Sequence, residues 1–62
     1  MKTNLPDYIQ MIEVLHTGSQ PTYKERQIHL ISVNDVYYLN GLIDKRLYQQ
    51  TNSILIDRLK NL

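Results

Sequence analysis

Few side chains of this 62-residue chain could ligate a metal or perform covalent chemistry. His16 and His29 are its only histidines, and cysteine is absent. Two imidazoles with neither cysteine nor clustered carboxylates make an incomplete metal site. No Ser/His/Asp or Cys/His arrangement supports nucleophilic catalysis. The two glycines stand alone and provide no phosphate-binding loop. We therefore predict that the protein is not an enzyme and uses neither a metal nor a cofactor.

One carboxylate stands out because its sequence neighbours do not explain it. Asp44 is predicted to lie in the middle of a helix, where aspartate is unfavourable, and no basic residue lies at helical spacing from it. A helix would place this acid on a strip with Tyr37, Gly41 and Tyr48, beside the apolar face. Such a strip is typical of a docking surface, where a carboxylate accepts from a partner's arginine. The alternative is that Asp44 is solvated and the tyrosines cover the edge of the core.

Two short helices are predicted in the first half of the chain. The first covers residues 5–17, after Asn4 as N-cap and before Gly18 as a stop. The second lies near residues 20–28, with Ser19 in its capping sequence, but it has no apolar stripe.

The third predicted helix is the longest and covers residues 33–60, either continuous or loosened at Thr51-Asn52-Ser53. It begins at the capping sequence Ser32-Val33-Asn34-Asp35. Its inward face combines Val36, Leu39, Ile43, Leu47, Ile54 and Leu55, broadened by Leu42, Leu59 and Leu62. Such a helix is about 40 Å long, so two short helices cannot cover it and part of it must be exposed or bind a partner. The predicted fold is all-α, a single domain over residues 1–62 with two short helices packed on one long C-terminal helix.

Composition narrows the classes of function. Seven Lys and Arg balance six Asp and Glu, and the bases are scattered, whereas a DNA-binding protein usually has a basic stripe. No segment approaches the roughly 20 apolar residues of a membrane span, and no signal sequence is present, so we expect a cytoplasmic protein. A core this small usually needs disulfides, a metal or association. Association, with a partner or with another copy of the chain, is the favoured remedy.

Three short motifs follow one another along the chain. They are Asp7-Tyr8-Ile9, then Ser32-x-Asn34-Asp35, then Asp44-Lys45-Arg46-Leu47-x-x-x-Thr51. They resemble, in order and spacing, the motifs of the Hha/YmoA family of small nucleoid-associated modulators. The first is similar to the family's Asp-Tyr-Leu, the second to Leu-Ser-Asp-Asn-Glu and the third to Asp-His-Arg-Leu-Ala-Glu-Leu-Thr.

The resemblance implies an all-α, non-enzymatic protein that docks on the N-terminal dimerisation domain of an H-NS-like nucleoid protein and modifies its gene silencing. It implies a location at the nucleoid, and it implies that Asp44, in one motif with Arg46, contacts arginines of that partner. Glu25 is the nearest substitute for an acidic residue that the family uses in its second helix. Arginines common in the family's first helix are replaced here, so contact with DNA is expected to be indirect or weak.

Two other classes of function fit the same composition. One is a phage- or plasmid-encoded helical inhibitor of a host protein. The other is a small dimeric DNA-binding repressor, which would need basic side chains on one exposed helix.

Overall fold

A computed structural model describes residues 4–18 and 20–62 of the chain. Its helices are α1 (Leu5–His16), α2 (Tyr23–Leu39) and α3 (Lys45–Lys60). The described residues contain no strand, which confirms the all-α class. Ser19 lies outside the described residues. None of the described helices combines the length and apolar character that crossing a lipid bilayer requires.

α1 follows the sequence prediction to within one residue at its end. Asn4 caps it, because its side-chain oxygen accepts from the Asp7 amide at 3.1 Å. Pro6 lies in the first turn, where a missing N–H removes no helical hydrogen bond. The face that carries Tyr8, Ile9 and Ile12 is buried and attaches α1 to the other two helices.

α2 is much longer than the helix predicted near residues 20–28. Thr22 caps it by accepting from the Glu25 amide at 3.1 Å, and no glycine or proline interrupts it before Leu39. The prediction that Ser32-Val33-Asn34-Asp35 starts a helix is therefore wrong, since these residues lie inside α2. Val33 and Asn34 are buried against the core, and this burial overrides a local capping preference.

The prediction of a single helix over residues 33–60 is also wrong. The chain leaves α2 at Leu39, turns over residues 40–44 and starts α3 at Lys45. α3 then runs back along α2 as an antiparallel helical hairpin. The apolar spacing did not reveal this turn, because α2 and α3 each present an apolar face to the same core.

A glycine-dependent motif ends α2. Gly41 adopts φ 72°, a left-handed conformation that costs a glycine little. Its N–H donates to the Tyr38 carbonyl at 3.0 Å, and the Leu42 N–H donates to the Tyr37 carbonyl at 2.9 Å. This pair of hydrogen bonds defines a Schellman motif, which satisfies carbonyls at the end of a helix.

The hydrophobic core draws on all three helices. Its buried members are Tyr8, Ile9, Ile12, Leu30, Val33 and Leu55, and Leu5, Ile31, Tyr37, Ile43, Leu47 and Ile54 pack around them. Four residues assigned to the inward face are instead exposed: Val36 (53%), Leu39 (81%), Leu42 (68%) and Leu62 (65%). Val36 and Leu39 lie in α2 but outside the set of α2 residues that is buried, Leu42 lies in the turn, and Leu62 lies beyond the end of α3.

Candidate functional site

The predicted docking strip does not form, because the turn between α2 and α3 separates its members. Gly41 and Asp44 lie in the turn, Tyr48 lies in the first turns of α3, and Tyr37 lies near the end of α2. The structure therefore keeps Gly41 close to Asp44 but gives the two tyrosines different surroundings.

Tyr37 belongs to the contact between α1 and α2. Its ring centre lies 5.9 Å from that of Tyr8. Its hydroxyl oxygen lies 3.0 Å from Nε2 of His16, and the two rings meet edge to face. Because these contacts are made within the chain, Tyr37 holds the helices together and is only partly exposed.

Tyr48 braces the start of α3 against the end of α2. Its ring stacks on Tyr38 with the ring centres 4.4 Å apart, and its hydroxyl donates to Oδ1 of Asp35 at 2.8 Å. The hydrogen bond to Asp35, followed by burial, raises the pKa of Tyr48. Tyr48 thus positions the turn and is not a free docking side chain.

Glu25 is remote from the turn. It lies in the first turn of α2, and the rise of 1.5 Å per residue places it roughly 20 Å along the helix from Leu39, where the turn begins. The structure therefore does not bring Glu25 and Asp44 into one site.

Four exposed residues do come together at the hairpin end, and we call them the turn surface: Gly41, Leu42, Asp44 and Arg46. An apolar residue after a Schellman glycine usually packs on the last turn of its helix. Leu42 instead remains 68% exposed. The turn surface therefore offers a free apolar side chain next to a carboxylate and a guanidinium.

Asp44 has a defined local role that the sequence did not predict. It is the N-cap of α3, and its Oδ1 accepts from the Leu47 amide at 2.8 Å. The other carboxylate oxygen accepts from no group in the described part of the chain, and the one ion pair found there joins Arg58 to Glu13. The positive end of the α3 dipole also favours a negative charge at this position. The carboxylate is thus oriented by the helix, exposed, and has an oxygen available to another molecule.

Asn34 is the most important residue that sequence reasoning missed. It is 0% exposed. Its Oδ1 accepts from the Tyr8 hydroxyl at 2.8 Å, and its Nδ2 donates to the Tyr48 carbonyl at 3.1 Å. One side chain of α2 thereby joins α1 to α3. A local reading of the sequence interpreted it as part of a helix cap.

A second long-range contact ties α1 to α3 near their solvent-facing edges. The Arg58 guanidinium donates to Glu13 at 2.6 Å and to the Gln27 side chain at 3.1 Å. These partners come from three helices, so no local spacing could have indicated them.

The buried tyrosine predicts a loss of stability at alkaline pH. Burial, reinforced by the neighbouring Tyr37, raises the pKa of Tyr8 to about 12. Because the folded chain holds this proton more tightly, the resulting stabilisation is complete below about pH 10 and disappears as the pH rises through about 12. The midpoint of thermal unfolding, followed by circular dichroism, should fall across this window.

A matched pair of variants isolates the contribution of Tyr8. Tyr8→Phe cannot ionise and should flatten the alkaline fall, whereas Tyr23→Phe removes an exposed tyrosine and should leave its slope unchanged. Equal slopes for both variants would show that the buried hydroxyl is not responsible.

The two histidines lie close to each other in the structure. Both line an apolar cavity of about 290 Å³ between α1 and α2. No cluster of three or more potential ligands among His, Cys, Asp and Glu occurs in residues 4–18 and 20–62.

Comparison of the chain with protein-family models, with curated proteins and with solved structures found no match. The resemblance to the Hha/YmoA family is carried by short motifs and stays a prediction.

Proposed function

We propose that this protein is a non-enzymatic modulator of gene expression that binds the N-terminal dimerisation domain of an H-NS-like nucleoid protein and alters its silencing. The observation that carries the proposal is the exposed Asp44 carboxylate on the turn surface, one oxygen of which accepts no hydrogen bond from the described residues. The same residue opens the Asp-x-Arg-Leu sequence on which the family resemblance is strongest.

The turn surface has the chemistry that such a contact needs. An arginine of the partner can donate to the free oxygen of Asp44, and charge-assisted hydrogen bonds of this kind are stronger than neutral ones. Leu42 supplies apolar area beside the pair, which excludes water from it. Arg46 lies within the same exposed segment, and its positive charge repels a partner surface that carries only cations. Tyr48 contributes to this function by holding the turn in place, and Tyr37 by holding α1 against α2.

Asp44→Asn should weaken binding to the partner domain at least tenfold, or by about 1.4 kcal/mol. Asparagine caps helices as well as aspartate does, so α3 should keep its start while only the charge is lost. Isothermal titration of the isolated H-NS-like N-terminal domain into the full chain gives the two affinities. Thermal unfolding of the variant checks that the fold is intact.

Asp57→Asn is the matched control, because it removes the same charge from another exposed position of the chain. We expect it to bind like the wild type. Failure of the wild-type chain to bind the domain would overturn the proposed function. Equal affinities of the wild type and Asp44→Asn would remove Asp44 from it.

A further inference from the structure

The turn between α2 and α3 contains a dipeptide with a chemistry of its own. Asn40 is followed by Gly41, and no other asparagine of the chain precedes a glycine. In such a pair the backbone nitrogen of the second residue can attack the side-chain amide of the first, and a glycine leaves that nitrogen unshielded because it has no side chain. Apart from its chain neighbours, a Cβ added to Gly41 would meet no atom within 4 Å, so the surroundings of this nitrogen are open.

We propose that Asn40 is a site of spontaneous deamidation, at which the side-chain amide is converted to a carboxylate through a cyclic imide. The Gly41 nitrogen loses its proton to base and bonds to Cγ of Asn40. The bond from Cγ to Nδ2 then breaks, and Nδ2 takes up a proton and leaves as ammonia. Water opens the ring at one of its two carbonyl carbons. Opening at the backbone carbonyl leaves isoaspartate, in which the main chain runs through Cγ, and opening at Cγ leaves ordinary aspartate.

The cap at the end of α2 controls the reaction by holding the reacting groups in place. Nδ2 of Asn40 donates to the Val36 carbonyl at 2.8 Å, and the Gly41 N–H donates to the Tyr38 carbonyl at 3.0 Å. The backbone of Asn40 has φ -90° and ψ 6°. Ring closure needs the Gly41 nitrogen to turn towards Cγ, so the chain must rotate about ψ of Asn40 and release both hydrogen bonds.

Opening this cap uncovers little of the core. Leu39, Asn40, Gly41 and Leu42 are all exposed, so no buried side chain of these four residues has to be released. Segments with few buried contacts open locally at a free energy well below that of global unfolding. We therefore expect the deamidation to proceed in the folded protein.

Deamidation dismantles the cap. A carboxylate only accepts hydrogen bonds and cannot donate to the Val36 carbonyl, and a negative charge is unfavourable at the C-terminal end of a helix. Isoaspartate adds a carbon to the main chain, so the Schellman hydrogen bonds of Gly41 and Leu42 cannot both keep their geometry. Because these two residues belong to the turn surface, conversion should also weaken partner binding. That last consequence rests on the proposed function, whereas the chemistry does not.

Asn61 is an internal control for Asn40. It is the exposed C-cap of α3, its Nδ2 donates to the Asp57 carbonyl at 2.8 Å, and its backbone has φ -101° and ψ 21°. The residue that follows it is Leu62 instead of a glycine. The full chain is incubated without any other protein at mildly alkaline pH, and peptide mapping by mass spectrometry follows both positions in one sample. Asn40 should convert at least about tenfold faster than Asn61, a difference in barrier of about 1.4 kcal/mol.

Asn40→Gln tests the effect of the conversion on the cap. Glutamine keeps the amide but must close a larger ring, which forms far more slowly. Incubation should lower the midpoint of thermal unfolding of the wild type and leave that of Asn40→Gln unchanged. Equal conversion of Asn40 and Asn61, or conversion of Asn40 in urea with none in the folded chain, would overturn the site. An equal fall in midpoint for the wild type and Asn40→Gln would overturn its effect on the cap.

Discussion

Leu55→Ala should destabilise the protein by about 2–5 kcal/mol, the usual cost of a large-to-small change in a closed core. Leu55 is 0% exposed and is the buried residue through which α3 joins the core cluster. Domains of 62 residues typically have a free energy of unfolding of roughly 3–9 kcal/mol. The substitution should therefore remove much of the total, which chemical denaturation followed by circular dichroism would measure.

Leu39→Ala is the matched control for Leu55→Ala. The sequence pattern placed both leucines on one inward face, but Leu39 is 81% exposed at the end of α2. Its removal should change the free energy of unfolding by no more than about 0.5 kcal/mol. A similar large loss for both variants would indicate one continuous helix with a shared buried face and would contradict the turn at residues 40–44.

Asn34→Ala should be the most damaging polar substitution, at about 2–5 kcal/mol. It leaves the Tyr8 hydroxyl and the Tyr48 carbonyl without their Asn34 partner, and an unpaired buried polar group costs about 1–3 kcal/mol. Had Asn34 been part of an exposed helix cap, the loss would be closer to 1 kcal/mol. Denaturant titration distinguishes the two values.

The control for Asn34 is another asparagine with a purely local contact. Asn61 donates to the Asp57 carbonyl at the exposed end of α3. Asn61→Ala should cost only a few tenths of a kcal/mol. A double-mutant cycle between Asn34→Ala and Tyr8→Phe should give a coupling energy of about 0.5–3 kcal/mol, and strict additivity would argue against the buried hydrogen bond.

Local signals predicted the parts of the fold that local physics determines. The cap at Asn4, the proline in the first turn and the apolar spacing of α1 all act within a few residues, and the structure reproduces them. The all-α class follows from the same helical periodicity. These features need no information about the rest of the chain.

The sequence contains signals for the turn between α2 and α3, but they were interpreted as part of one long helix. Asn40-Gly41 is a typical helix end, and Asp44 three residues before Leu47 is a typical helix start. Apolar spacing that continues on both sides made Gly41 look like a packing glycine inside one helix. When Gly41 is placed in the left-handed conformation, α2 ends before it. Asp44 then becomes the N-cap of α3, and Leu42 becomes an exposed residue of the turn.

Contacts between distant residues could not have been predicted from one sequence. Asn34 meets Tyr8 and Tyr48 on two other helices, and Arg58 meets Glu13 across 45 positions. Asp44 was selected for an unpaired carboxylate, and it remains exposed without an ion pair in the described residues. The prediction that Asp44 lies in the middle of a helix was wrong, because Asp44 is the N-cap of α3.

The most direct test of the account is to map the binding face by NMR. Unlabelled H-NS-like N-terminal domain is added to the ¹⁵N-labelled chain, and the amide shifts are followed residue by residue. We expect the largest changes at residues 41–46, with smaller changes in α1. Changes confined to α1 or to the first half of α2, with residues 41–46 unaffected, would contradict the assignment of the turn surface as the partner-binding site.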